Sequence, residues 1–266
     1  MSKYINDPRE MAITPESGVT YEEDNRIEKM YHWGAKILDL CNMEVSEYMK
    51  PMTIIVSGYT PSPTHDPHEY VDLGLKSGIL WATCNIGANT PEEAGLYFAW
   101  GETQGYTSGQ VGREEGKREF TWKDYKWGTP DDGQNPLITD ELVENGVLKS
   151  DYDAAVFNWG NGWRMPTAKE FEELVESTTT GWTVYDNGIG GVTFTSLING
   201  NTLFFPAVGS AYDGKVADDV NEGYCWSSSF NSEKLIIAWL LYLNSETQKV
   251  DVGERYRGRS VRPVRF

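Results

Sequence analysis

Basic residues, cysteine and long apolar runs are all scarce in this 266-residue chain. Lys and Arg number 23 against 40 Asp and Glu, a net charge of −17. Such an excess of negative charge repels phosphate backbones, and a general nucleic-acid binder is excluded. Cys41, Cys84 and Cys225 are far apart and odd in number, which is no disulfide framework, and no Cys-x-x-Cys pair suggests zinc. No apolar run reaches the roughly eighteen residues that a membrane helix needs, so membrane insertion is not expected. The first residues, MSKYINDPREMAITPES, hold no apolar core of a secretory signal, so conventional export is not expected either. Histidine is confined to His32, His65 and His68, which leaves the rest of the chain without its usual general base.

What is abundant points to a globular, loop-rich β protein. Hydrophobic residues make up 39% and charged residues 24%, with 10 Trp, 15 Tyr and 27 Gly. Gly permits tight turns, and aromatics suit both strands and binding faces. Charge is unevenly spread: residues 221–266 carry seven Lys/Arg against five Asp/Glu, a net of +2, which leaves −19 on the other 220 residues. The terminal arginines, Arg255, Arg257, Arg259, Arg262 and Arg265, could pair with the acidic body as readily as with a ligand.

Residues 1–60 read as a separate unit. Thr20 and Glu23 form a capping-box pattern ahead of apolar residues at helical spacing, Ile27, Met30, Tyr31, Leu38 and Cys41, and 52–56 is strand-like. Pro61-Ser-Pro-Thr-His-Asp-Pro67 reads as an extended linker, because three prolines in seven residues suppress helix and ladder alike. From Glu69, short apolar runs alternate with Gly turns: 70–75, 79–83 and 96–100 read as strands, and 105–119 as a surface loop. Helices are expected over 151–159 and, behind the capping box of Thr167 and Glu170, over 167–176. Strands at 182–185 and 192–195 flank Asp186-Asn-Gly188, and Asn199-Gly200 introduces another hairpin. Residues 236–243 are apolar on both alternating faces, as a central, doubly covered strand is. The fold class is α+β: two short helices with a mainly antiparallel, twisted β-sheet core, preceded by a small helix and strand unit.

Six strings carry a resemblance: Tyr70-Val-Asp-Leu-Gly-Leu75, Leu80-Trp-Ala-Thr-Cys-Asn-Ile-Gly-Ala88, Tyr97-Phe-Ala-Trp-Gly-Glu102, Gly162-Trp-Arg-Met-Pro-Thr167, Tyr224-Cys-Trp-Ser-Ser-Ser229 and Ser260-Val-Arg-Pro-Val264. In this order they resemble the C-type-lectin-like domains, related to formylglycine-generating enzymes, of gut Bacteroidetes and their phages. The resemblance covers residues 69–266. Some members are variable proteins of diversity-generating retroelements, including phage tropism determinants. The resemblance implies a ligand-binding domain at 69–266 with a recognition segment at 223–266, behind a linker at 61–68 and an anchoring or oligomerisation unit at 1–60. It implies a recognition surface made by Tyr224, Phe230, Asn231, Ser232, Tyr242, Asn244, Val250, Val252, Tyr256, Arg257 and Arg259. Tyr, Asn, Ser and Arg are also paratope chemistry: rigid amphipathic area, adaptable hydrogen bonds, charge and stacking.

The expectation is therefore a receptor-binding protein of a phage tail tip, on the virion or otherwise at a cell surface, whose partner is a cell-surface protein or glycan. Related phage proteins imply a homotrimer, which multiplies weak contacts. A bacterial adhesin is the alternative, and a formylglycine-generating-type oxidoreductase a third reading. No second Cys or His follows Cys225 to activate it, so no catalytic residue is assigned. No cofactor and no metal are expected: His65-Asp-Pro-His68 fits the linker better than a metal site, and the calcium-lectin strings Glu-Pro-Asn, Gln-Pro-Asp and Trp-Asn-Asp do not occur. Gly188-Ile-Gly-Gly191 precedes a strand, not a helix, so it reads as a turn rather than a phosphate cradle. The pairs Asp131-Asp132, Asp151 with Asp153, and Glu172-Glu173 read as solvated faces.

Overall fold

A computed structural model describes residues 68–130, 136–160, 162–217 and 221–266. The expected helix within 20–41, the strand at 52–56, linker residues 61–67 and the pair Asp131-Asp132 lie outside the described residues. The chain divides into two units, Met1–Thr64 and His65–Phe266. The second is an α+β assembly of two helices and thirteen strands among the described residues, with every strand pairing antiparallel.

Strands β1 (Tyr70–Asp72), β2 (Leu80–Ala82) and β13 (Val264–Arg265) form a three-stranded sheet that brings the two ends of this unit together. Val264 pairs with Trp81 there, and Trp81 is fully buried. The central sheet has the order β12 (Gln248–Glu254), β11 (Ile237–Leu243), β10 (Gly223–Phe230), β4 (Val147–Leu148), β3 (Val143–Glu144). A third sheet runs β5 (Thr178–Val184), β6 (Gly190–Ser196), β7 (Thr202–Pro206), and β8 (Ala211–Tyr212) pairs with β9 (Lys215–Val216).

Helix α1 (Ala154–Trp159) starts at Asp153, whose carboxylate accepts hydrogen bonds from the amides of Ala155 and Val156 and also of Met165. One buried side chain thus caps the helix and ties in the next segment. Helix α2 (Ala168–Glu176) has the expected capping box: Thr167 accepts from the Glu170 amide, and Glu170 accepts from the Thr167 amide at 2.7 Å. Its Phe171 and Leu174 are buried, and it packs along β12 and β11.

Strand β11 is central and covered on both sides. Ala238 and Leu240 belong to one core cluster with Trp100, Phe120 and Trp226. Leu241 and Leu243 belong to the other, with Trp81, Phe171, Phe194 and Cys225. Two alternating faces of one strand therefore join two cores.

Local departures from the sequence reading have physical reasons. Residues 96–100 make isolated bridges, Tyr97 to Tyr106 and Phe98 to Arg259, in place of a regular strand. Residues 105–119 are only partly a surface loop: Val111 is buried, and Arg118 reaches in to hold the buried Glu102 carboxylate at 2.8 and 2.9 Å. The hairpin of β3 and β4 turns on Asn145 and Gly146, both at positive φ (52° and 82°), the conformation that a two-residue turn demands.

Candidate functional site

The register of β10, β11 and β12 sets out the face on which a site is built. Tyr224 lies opposite Tyr242, and Tyr242 opposite Lys249; Trp226 lies opposite Leu240, and Leu240 opposite Asp251. These rows share one side of the sheet. Trp226 and Leu240 sink into the first core, whereas Tyr224 and Tyr242 stay half-buried at its rim with their rings 5.4 Å apart.

Glu222 fixes both rings. Its carboxylate accepts the Tyr224 hydroxyl at 2.6 Å and the Tyr242 hydroxyl at 2.7 Å, and the Asn244 amide donates to the Tyr242 oxygen at 2.8 Å. Burial and then the bond to Glu222 raise the pKa of both phenols above its usual value, so both remain donors at neutral pH. Lys249 lies over the Tyr242 ring and pairs with Asp251 at 2.7 Å. Burial opposes ionisation of Asp251, but Lys249 and the Val252 amide outweigh it and hold its carboxyl below the usual range.

A second group adjoins the first. Arg257 donates to Glu254 at 2.8 Å and lies over the Tyr212 ring, while Tyr256 donates to Glu254 and packs its ring 4.9 Å from that of Trp122. Arg259 joins the two groups. Its guanidinium lies 4.4 Å from the Trp226 ring centre and 5.0 Å from that of Tyr224, and the charges of Arg257, Glu254 and Asp251 all bear on it.

The structure keeps only part of the expected recognition set together. Tyr224, Tyr242, Asn244, Tyr256 and Arg257 line this band, half-buried and polar at the tip. Arg259, expected at the surface, is only 5% exposed and lies beneath Tyr224. Asn231 is 7% exposed, because its side-chain oxygen accepts the Glu233 and Lys234 amides and shapes the turn before β11. Val250 packs against the second core, and Val252 shares its side of β12, the side opposite Tyr242. Phe230 packs near Trp100, 6.1 Å between ring centres. Ser232 is exposed, but it sits at the far end of β11 from Asn244, roughly 20 Å along a seven-residue strand.

Sequence reasoning missed Glu222, Lys249, Asp251, Glu254, Tyr212 and Trp122. Gly253 was the available signal: a Cβ there would stand 2.2 Å from Nη1 of Arg259. A glycine inside a strand marks such a close approach.

The other terminal arginines are structural. Arg255 donates to Tyr125, Thr139 and the carbonyls of Ile138 and Leu235, and Arg262 to Asn85 and the carbonyls of Ala82, Thr83 and Phe204. Both are fully buried, and oxygen dipoles rather than carboxylates solvate them. Arg265 lies over the rings of Tyr70 and Trp163. The His68 ring stacks on Trp159 at 3.6 Å. Cys225 is 3% exposed, and burial pushes its thiol up to about 12. Among the described residues, no group of three or more His, Cys, Asp or Glu could hold a metal ion, and no helix is long and apolar enough to cross a membrane. No family model, curated protein or solved structure matches the chain.

Proposed function

We propose that residues 69–266 are a receptor-binding domain of C-type-lectin-like fold that presents the band from Asn244 to Tyr256 to a cell-surface glycan or protein, with no catalytic step and no cofactor. The observation that carries this reading is the Tyr224, Tyr242, Tyr256 and Arg257 band, half-exposed yet fixed by Glu222 and Glu254 over a closed core. Rigid tyrosines lose little entropy when a partner covers them, which favours affinity. The protein we have in view is a phage tail-tip protein whose segment 223–266 is diversified. Against thiol oxidation chemistry stands Cys225, whose raised pKa and burial withhold the thiolate that such chemistry uses.

The test is attachment to host cells by the protein carrying Tyr256→Ala and Arg257→Ala together. Attachment is expected to fall at least tenfold while the melting temperature changes by no more than about 2 °C, as for surface substitutions. Unchanged attachment, or loss of the melting transition itself, sinks the reading.

A further inference from the structure

Among the described residues, no carboxylate makes a salt bridge to Arg259, although Glu254 and Asp251 lie near enough to act on its charge. Its Nε and Nη1 are buried and make no hydrogen bond, so each two-donor edge of its guanidinium fork has an unused N–H. The nearby acids are already engaged: Asp251 by Lys249, Glu254 by Arg257 and Tyr256. Buried, unsatisfied donors are costly, and a charged one most of all; Arg118 and Arg262 each leave one such nitrogen, whereas Arg259 leaves two. The rings of Tyr224 and Trp226 and the bare Gly253 pack against the guanidinium without occupying its donors. Burial brings its pKa down to about 9, which still leaves it charged at neutral pH.

We propose that Arg259 is the anchor of an acidic-sugar site: the carboxylate of a uronic- or sialic-type residue takes the guanidinium edge that carries the unused Nε–H. Tyr224 is the cover. It is half-exposed, lies over the guanidinium, and is latched by its hydroxyl to Glu222. Rotation of its side chain opens the path, and its ring and that of Tyr242 then offer stacking faces to the sugar. A carboxylate satisfies an arginine fork better than any other single group. The surrounding carboxylates of Glu222 and Asp251 are acceptors for sugar hydroxyls. They also repel a polyacidic peptide, which is why a sugar with one carboxylate fits better than such a peptide. This inference rests on the receptor-binding reading and specifies its ligand.

The experiment titrates the full chain calorimetrically with an oligosaccharide ending in glucuronate, with one ending in sialate, with their carboxyl-reduced counterparts, and with a Glu-rich peptide. The expected result is binding of at least one acidic sugar that weakens at least tenfold on carboxyl reduction and on Arg259→Gln. Because a buried substitution can cost the fold, the wild-type protein also supplies a direct readout: the ¹⁵N signal of the Arg259 Nε–H moves with the acidic sugar and not with its reduced form. Binding indifferent to the carboxyl, an unmoved Arg259 signal, or tighter binding of the acidic peptide overturns the proposal. If those results accompany lost cell attachment in the Tyr256→Ala and Arg257→Ala protein, the ligand class fails while the display surface stands.

Discussion

At the scale of single residues, Cys225 shows how burial sets chemistry. An unfolded thiol ionises at about 8.5, whereas the folded one does so at about 12, so above about pH 8.5 unfolding releases a proton that the folded chain keeps. The stabilisation is complete below that pH and declines as pH rises toward the folded value. By pH 10 the loss is about 2 kcal/mol. Urea unfolding of the wild type and of Cys225→Ala at pH 7.5 and pH 10 is expected to show the gap between them narrowing by about this amount; a constant gap would contradict it. The lack of a second Cys or His after Cys225 was legible in the sequence. The role of Glu222 was not, because it depends on register between strands, which tertiary packing sets; Gly253 marked a close approach without naming Arg259 as the side chain that makes it.

At the scale of elements, local chemistry was readable wherever it was sufficient. The capping box at Thr167 and Glu170 places the start of α2, and the two-sided apolar run places β11 inside its sheet, between β12 and β10. Thr167→Ala removes one half of the box, and by the usual worth of an N-cap it costs about 1 kcal/mol in a denaturant titration, with Thr167→Ser recovering most of it. No change would mean that the Arg164 contact to Glu170 alone holds this end of the helix. The hairpin of β3 and β4 escaped notice because two-residue strands are too short to show alternation, even though Asn145-Gly146 is a strong turn pair. Valines 250 and 252, expected beside Tyr242, lie on the other side of the sheet for a related reason. Each lies one residue out of step with Lys249 and Asp251, and a single step along a strand reverses the side.

For the whole molecule, the described cores lie entirely within His65–Phe266, so a chain begun at residue 65 is expected to unfold in one cooperative transition. If residues 1–60 oligomerise the protein, light scattering will give a trimer for the full chain and a monomer for that fragment; a monomeric full chain removes avidity from the proposed function. Strands β10 and β11 have one further consequence. Tyr224 and Tyr242 alternate with Cys225, Leu241 and Leu243, which belong to the far core. Neighbouring codons thus answer to different demands, one to the outside world and the next to the interior. If the band is the receptor-binding surface proposed above, new specificity can arise beside the residues that keep the domain folded without asking them to change.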